Sequence, residues 1–267
     1  MPTTTASRRA VGHPVESYAA LGDCLAAHRE GPGRDAPFPD WADRLAVLLA
    51  EERPDGVLRY RKAAPGRSLD HIVAEQLTAV REFAPDLVAL RAGGHDLLRP
   101  DADPDALAER LETAVAELCA PARTVLLFTG IDPRPLPVLR HARAKAATYT
   151  AHLRAIADRH GCPVADLWSL RALRESRAWD EGGLRLSDLG HRQIAAEAAR
   201  ALGLHHTVSD GELVRTTADG SRTEVRHPDT AWLRDYLTPW LDRPRGPRTG
   251  PRAAPRAAPR RGDELRP

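Results

Sequence analysis

Five short apolar runs recur between residues 17 and 167, each separated from the next by a helix-like or loop segment, and this alternation constrains the fold more than anything else in the chain. The runs are Ser17–Leu21, Val57–Tyr60, Leu87–Leu90, Thr124–Thr129 and Pro163–Leu167. Apolar strands without polar alternation are buried on both faces. Strands linked through helices run parallel, because a parallel pair needs a long crossover. The expected fold is therefore α/β, with a five-stranded parallel sheet covered by helices on both faces.

The intervening segments carry helical spacing and helix-start signals. Trp41, Leu45, Leu48 and Leu49 recur at that spacing within Asp40–Glu52. Ser68 can cap a helix whose apolar face is Leu69, Ile72, Val73, Leu77 and Val80. Asp103-Pro104 opens a helix that runs to about Cys119, a long helix is expected over Val138–His160, and Ser187 caps a last one at Asp188–Leu202. Trp168–Glu181 reads as irregular or short helix.

These signals divide the chain. Residues 1–14 read as a flexible arm and residues 15–204 as the α/β domain. Residues 205–242 are expected to form a hairpin around Asp219-Gly220 and a short helix packing on the body. Residues 243–267 read as a disordered Pro/Arg-rich tail. That tail holds eight arginines against Asp263 and Glu264, so it carries +6 of a net +2 and leaves −4 for the rest. The body is not a nucleic-acid binder on charge grounds. Lys62 and Lys145 are the only lysines among 39 basic residues. No apolar stretch approaches a membrane span, and Met1–His13 lacks the apolar core of a secretion signal, so a cytoplasmic protein without membrane contact is expected. Cys24, Cys119 and Cys162 have no paired spacing and indicate neither a disulfide framework nor a zinc site. Cys119 and Cys162 read as core residues, and no metal or cofactor is expected.

The unusual residues stand where strands end. Tyr18–Leu25 (YAALGDCL) is a strand that stops at the turn Gly22-Asp23-Cys24. Ligands of open α/β sheets sit beyond the carboxyl ends of strands. A cysteine there can act as a nucleophile if its thiolate is favoured. The Pro65-Gly66 loop follows the second strand, and Gly93-Gly94-His95-Asp96 follows the third.

The order and spacing of these blocks resemble the SGNH (GDSL) hydrolase family across roughly Ser17–Leu204, and AGGHDLLRP, TVLLFTG, HLRAIADRHG and LRLSDLGH are similar to its actinobacterial esterase branch. The resemblance implies a flavodoxin-like three-layer α/β/α fold that hydrolyses esters through an acyl-enzyme. In that family the first block supplies a serine, whose N–H joins a Gly N–H and an Asn side chain in the oxyanion hole. A final DxxH supplies the Asp and His of the triad. Here the serine position holds Cys24, the glycine four residues later is His28, the oxyanion glycine is kept as Gly66, and the asparagine position holds His95. Gly182 stands at the acid position and Arg185 at the base position. The resemblance gives His191 a structural place in the last helix.

Two readings follow. In one the site is rebuilt: Cys24 is the nucleophile, His95 or His28 the base, and Arg185 lowers the thiol pKa or holds an anionic group of a small acyl substrate. Gly66, Asp23 and Asp96 then complete the oxyanion and turn structure. In the other, the fold persists as a catalytically inactive protein that binds a ligand or acts as a scaffold.

Overall fold

The computed structural model describes residues 14–22, 39–54, 56–63, 68–180 and 185–204. Within them, β1 (Ser17–Gly22), β2 (Arg59–Lys62), β3 (Leu87–Arg91), β4 (Thr124–Phe128) and β5 (Val164–Ala165) form one sheet in the order β2-β1-β3-β4-β5. Every pairing is parallel. The arm before residue 14 and the expected hairpin, helix and tail after residue 204 lie outside the described residues.

Side chains alternate between the faces of the sheet. Tyr18, Ala20, Leu87, Ala89, Leu126 and Phe128 face α1 (Trp41–Glu51) and α6 (Asp188–Leu202). Ala19, Leu21, Val88, Leu90, Val125 and Leu127 face the helices of the other layer. That layer consists of α2 (Leu69–His71), α3 (Leu77–Phe83), α4 (Pro104–Cys119) and α5 (Arg143–His160). Both sheet faces are thus buried, which is why the strands read as apolar throughout. The architecture is the flavodoxin-like three-layer α/β/α sandwich.

The helix starts follow their caps. Asp40 accepts from the N–H groups of Ala42 and Asp43, Asp103 from those of Asp105 and Ala106, and Ser187 from that of Gly190. Four segments differ from expectation. β2 begins two residues late, at Arg59, because its ladder to β1 starts at the Ser17–Arg59 pair, and Val57 is left exposed. Between α2 and α3, Ile72–Gln76 form a π-helical turn. That turn inserts Gln76 into the buried face, where Val73 also packs, partly buried, against the core. Pro137–Ala142 form a 3₁₀ turn before α5, and β5 is limited to two residues.

Candidate active site at the strand ends

The strand order reverses between β1 and β3: β1 connects outward to β2, whereas β3 leads to β4 and β5. This is the switch point at which open α/β sheets leave a crevice. The last residues of the two strands, Gly22 and Arg91, are register partners there. Gly22 has φ +150°, and a Cβ on it would lie 2.4 Å from the Arg91 carbonyl oxygen, so only glycine fits beside β3.

Gly22 also has a partner on its other side. Even-numbered residues of β1 turn their peptide groups toward β2, as in Arg59 N–H to Glu16 O and Ala63 N–H to Ala20 O. The β2 register ends at Lys62, opposite Ala20, so Gly22 lies past it. The side-chain amide of Gln76 fills the gap, accepting from Gly22 N–H at 3.1 Å and approaching Gly22 O with its nitrogen at 3.5 Å. Gln76 is buried, delivered by the π-helical turn. π-turns of this kind recur at functional sites.

The loop after β3 is braced from three directions. Tyr149 donates its hydroxyl to Ala92 O at 3.3 Å. A side chain on Gly93 (φ +91°) would meet that hydroxyl at 2.5 Å. Lys145 donates to the carbonyls of Arg99 and Pro100, each at 2.8 Å. Asp96 accepts from Leu69 N–H at 3.0 Å and so ties the loop to the start of α2. Burial raises the Asp96 carboxyl above its usual range despite that hydrogen bond and the charge of Arg110. His95 is half-buried in helical backbone immediately before the 3₁₀ turn Asp96–Leu98.

The α1/α6 side of the crevice is a polar corner. His191 accepts from Trp41 N–H through Nδ1 at 3.2 Å and is buried, the structural place implied for it. Lys62 bridges Asp40 at 3.1 Å and Asp43 at 2.7 Å, and Tyr60 donates to Asp43 at 3.1 Å. Burial raises the Asp40 carboxyl, with Asp43 adding to the rise. For Asp43 burial is outweighed by Lys62 and Tyr60, which hold it below its usual range. Arg91 is buried at the end of β3, and alternation with Leu87 and Ala89 directs it to this same face. Neither Gln76 nor Arg91 is singled out by the sequence: a glutamine within a helix and an arginine ending a strand both read as surface residues.

Arg185 is exposed before α6, with its backbone paired to Asp180: Asp180 N–H donates to Arg185 O at 2.8 Å, and Arg185 N–H to the Asp180 carboxylate at 3.2 Å. Arg171 and Arg174, on the 3₁₀ turn after β5, are exposed as well, and none of these three arginines forms an ion pair among the described residues. On the other sheet face, a cavity of about 330 Å³ is lined by Ala19, Leu21, Ala63, Val80, Arg61 and Gln76, among others. Of the predicted site residues, His95, Asp96 and Arg185 are thus located, while Asp23, Cys24, His28 and Gly66 lie outside the described residues. No cluster of three or more metal-ligating side chains occurs among the described residues, and no described helix is long and apolar enough to cross a membrane.

A parallel α/β/α sandwich with a crevice at its switch point is a fold that SGNH hydrolases share with other proteins. Residues 20–193 match the GDSL-like lipase/acylhydrolase family, and the chain belongs to that family. Among solved structures it is similar to LAE5, an α/β hydrolase enzyme from the metagenome of Lake Arreo, Spain, at 24% identity and TM-score 0.59, covering 74% of this chain and 99% of that one. It is also similar to variants of Axe2, an acetyl xylan esterase from Geobacillus stearothermophilus. One is 18% identical with TM-score 0.60, covering 76% of this chain and 100% of the other. A catalytic mutant of the same esterase is 18% identical with TM-score 0.58, covering 74% and 97%. At these identities the likeness is one of fold. No curated protein matches the sequence.

Proposed function

We propose that this GDSL-family chain performs Cys24-dependent acyl transfer or hydrolysis on a small ester or thioester, in place of serine-dependent esterase chemistry. The observation that supports the reading is a buried arginine at the end of β3, the strand paired with the strand that leads into the first block. Cys24 stands in sequence at the family's nucleophile position, two residues after Gly22, and Gly22 is the register partner of the buried Arg91. A guanidinium near a thiol favours the thiolate, which needs less base assistance than a serine hydroxyl.

In the proposed reaction the Cys24 thiolate attacks the substrate carbonyl, forming a C–S bond and a tetrahedral oxyanion. The oxyanion collapses, the bond to the leaving alkoxide or thiolate breaks, and that group takes a proton from His95 or, alternatively, His28. Water or an acceptor alcohol then attacks the thioester, returning its proton to the same base and releasing Cys24. Gly66 N–H serves the oxyanion, with Asp23 and Asp96 holding the turns. Arg185, at the family's base position and exposed before α6, favours an acyl or leaving group that carries a negative charge.

The test is intact-mass analysis after incubation with an activated acyl ester and an acyl thioester. A single acyl adduct on the wild type, absent from Cys24→Ala, is expected. No adduct from neutral to mildly alkaline pH would refute covalent catalysis. One observation favours a second reading, a catalytically inactive ligand-binding or scaffold protein: Arg185 occupies the base position, and a guanidinium does not accept protons at neutral pH. Unchanged affinity for a small carboxylate in Cys24→Ala, with no adduct on the wild type, is the result that reading expects.

A further inference from the structure

Two thiols that the strand-end crevice does not use meet at the opposite end of the sheet. Cys119 is the last residue of α4, and Cys162 follows the left-handed Gly161 that ends α5. Their sulfurs are 3.9 Å apart, and both residues are partly exposed. The approach is held by the backbone and by charge. Cys162 N–H donates to Ala157 O at 2.8 Å, closing the cap of α5. Two turns before Cys119, Glu112 accepts from Arg159 Nε at 2.8 Å and Nη2 at 2.7 Å, linking the last turn of α5 to α4. A disulfide needs the sulfurs to close by roughly a further 1.9 Å, a change within reach of side-chain torsion when the two helix ends are already fixed.

We propose that Cys119 and Cys162 are a dithiol modification site that closes to an intramolecular disulfide in exchange with a small disulfide such as oxidised glutathione. The Cys119 thiolate attacks one glutathione sulfur, the glutathione S–S bond breaks, and one glutathione thiolate leaves and is protonated. The Cys162 thiolate then attacks the Cys119 sulfur of the mixed disulfide and expels the second glutathione. Both protein thiol protons end on the two glutathiones, two electrons pass from the protein to the oxidant, and the net products are one protein disulfide and two glutathione thiols. The order follows from surroundings: burial, reinforced by the neighbouring Cys119, pushes the Cys162 thiol up to about 12, which disfavours it as the first attacker, and in the second step the 3.9 Å approach to the Cys119 sulfur offsets that handicap. The Cys119 part of that rise disappears once Cys119 carries the mixed disulfide. The closed loop contains β4 and α5, so the bond ties the end of α4 to the segment that leads into β5.

The experiment treats the full-length wild type and Cys24→Ala with millimolar oxidised glutathione, alkylates the remaining thiols under denaturing conditions, and maps the peptides. In Cys24→Ala both thiols should disappear together, the mass should fall by two hydrogens, and one peptide pair should link positions 119 and 162. Dithiothreitol should reverse all three changes. The oxidised form should unfold several degrees higher than the reduced form. The wild type should show the same link, whatever happens at Cys24. Two thiols left free, separate glutathione adducts without a link, or a link between two chains would each overturn the proposal.

Discussion

Replacing Gln76 by methionine tests how the crevice is built. The substitution keeps side-chain length and volume but removes the amide that substitutes for β2 beside Gly22. The Gly22 N–H then has no acceptor in a buried setting, which costs about 1–3 kcal/mol. The carbonyl contact at 3.5 Å is weak and adds little. Methionine regains part of the loss by burying an apolar chain, and the net destabilisation should be about 2 kcal/mol. For a domain of this size that corresponds to a fall of about 4–8 °C in Tm. Thermal unfolding followed by circular dichroism measures the first quantity. Hydrogen exchange at the Gly22 amide measures the cause, and its protection should drop with the stability. Because the bond sits two residues before Cys24, the rate of acyl-adduct formation should fall by roughly tenfold or more. A variant within about 0.5 kcal/mol of wild type, with Gly22 protection unchanged, would show that the amide does not substitute for the missing strand.

Two further substitutions probe the charges that frame the sheet. Lys62→Met leaves the buried Asp40 facing Asp43 without a cation, and about 2–3 kcal/mol should be lost at neutral pH in urea unfolding. Asp40 already sits above its unfolded value, and without Lys62 it rises further, so ionising it opposes folding. The loss should therefore shrink as pH falls through the acid range, and a pH-independent loss would refute the reasoning. Asp86→Asn removes a carboxylate that accepts from Ser17 N–H, Ser17 Oγ–H and Glu16 N–H, each at 3.0 Å, and about 1–2 kcal/mol should go at neutral pH. Burial raises the Asp86 carboxyl, but these donors and Arg123 outweigh it, so its folded pKa lies below the unfolded one. Its contribution is present above about pH 4 and lost as pH falls through the folded value, so the variant and wild type should converge in acid.

The parts of the fold legible in the sequence are those set by local chemistry. Asp103-Pro104 and Ser187 announce α4 and α6 because a side-chain cap and a helix-compatible proline act within one turn. The apolar runs announce β1, β3 and β4 because burial on both faces excludes polar residues. β2 was displaced because its sequence, RYRK, is that of an exposed edge, and the apolar Val57-Leu58 beside it attracts the assignment. The π-turn was invisible because Ile72, Val73 and Leu77 fit a regular helix equally well, and only the need of Gly22 for a partner explains why Gln76 turns inward. The pairing of Cys119 with Cys162 is likewise a matter of tertiary packing, across 43 residues of chain. At the candidate site, the block order pointed to the strand ends, and His95 and Asp96 stand on the loop after β3 as read. Arg91 is not legible because an arginine ending a strand reads as a surface residue and its burial is set by tertiary packing.

The same edge strand has a consequence for molecules meeting in concentrated solution. A parallel sheet can continue into a second molecule only through an open edge, and among the described residues the two edge strands each resist this by different means. At one end β5 is two residues long, too short to template a partner strand. At the other, β2 presents Arg59 and Arg61 along four residues, with their guanidinium groups laid over the Phe83 ring at 4.9 and 5.2 Å. A second copy adding its own β2 there would bring like charges together and strip the Phe83 ring of its cations. The arginines that make the strand hard to recognise also oppose the pairing of its backbone with another chain.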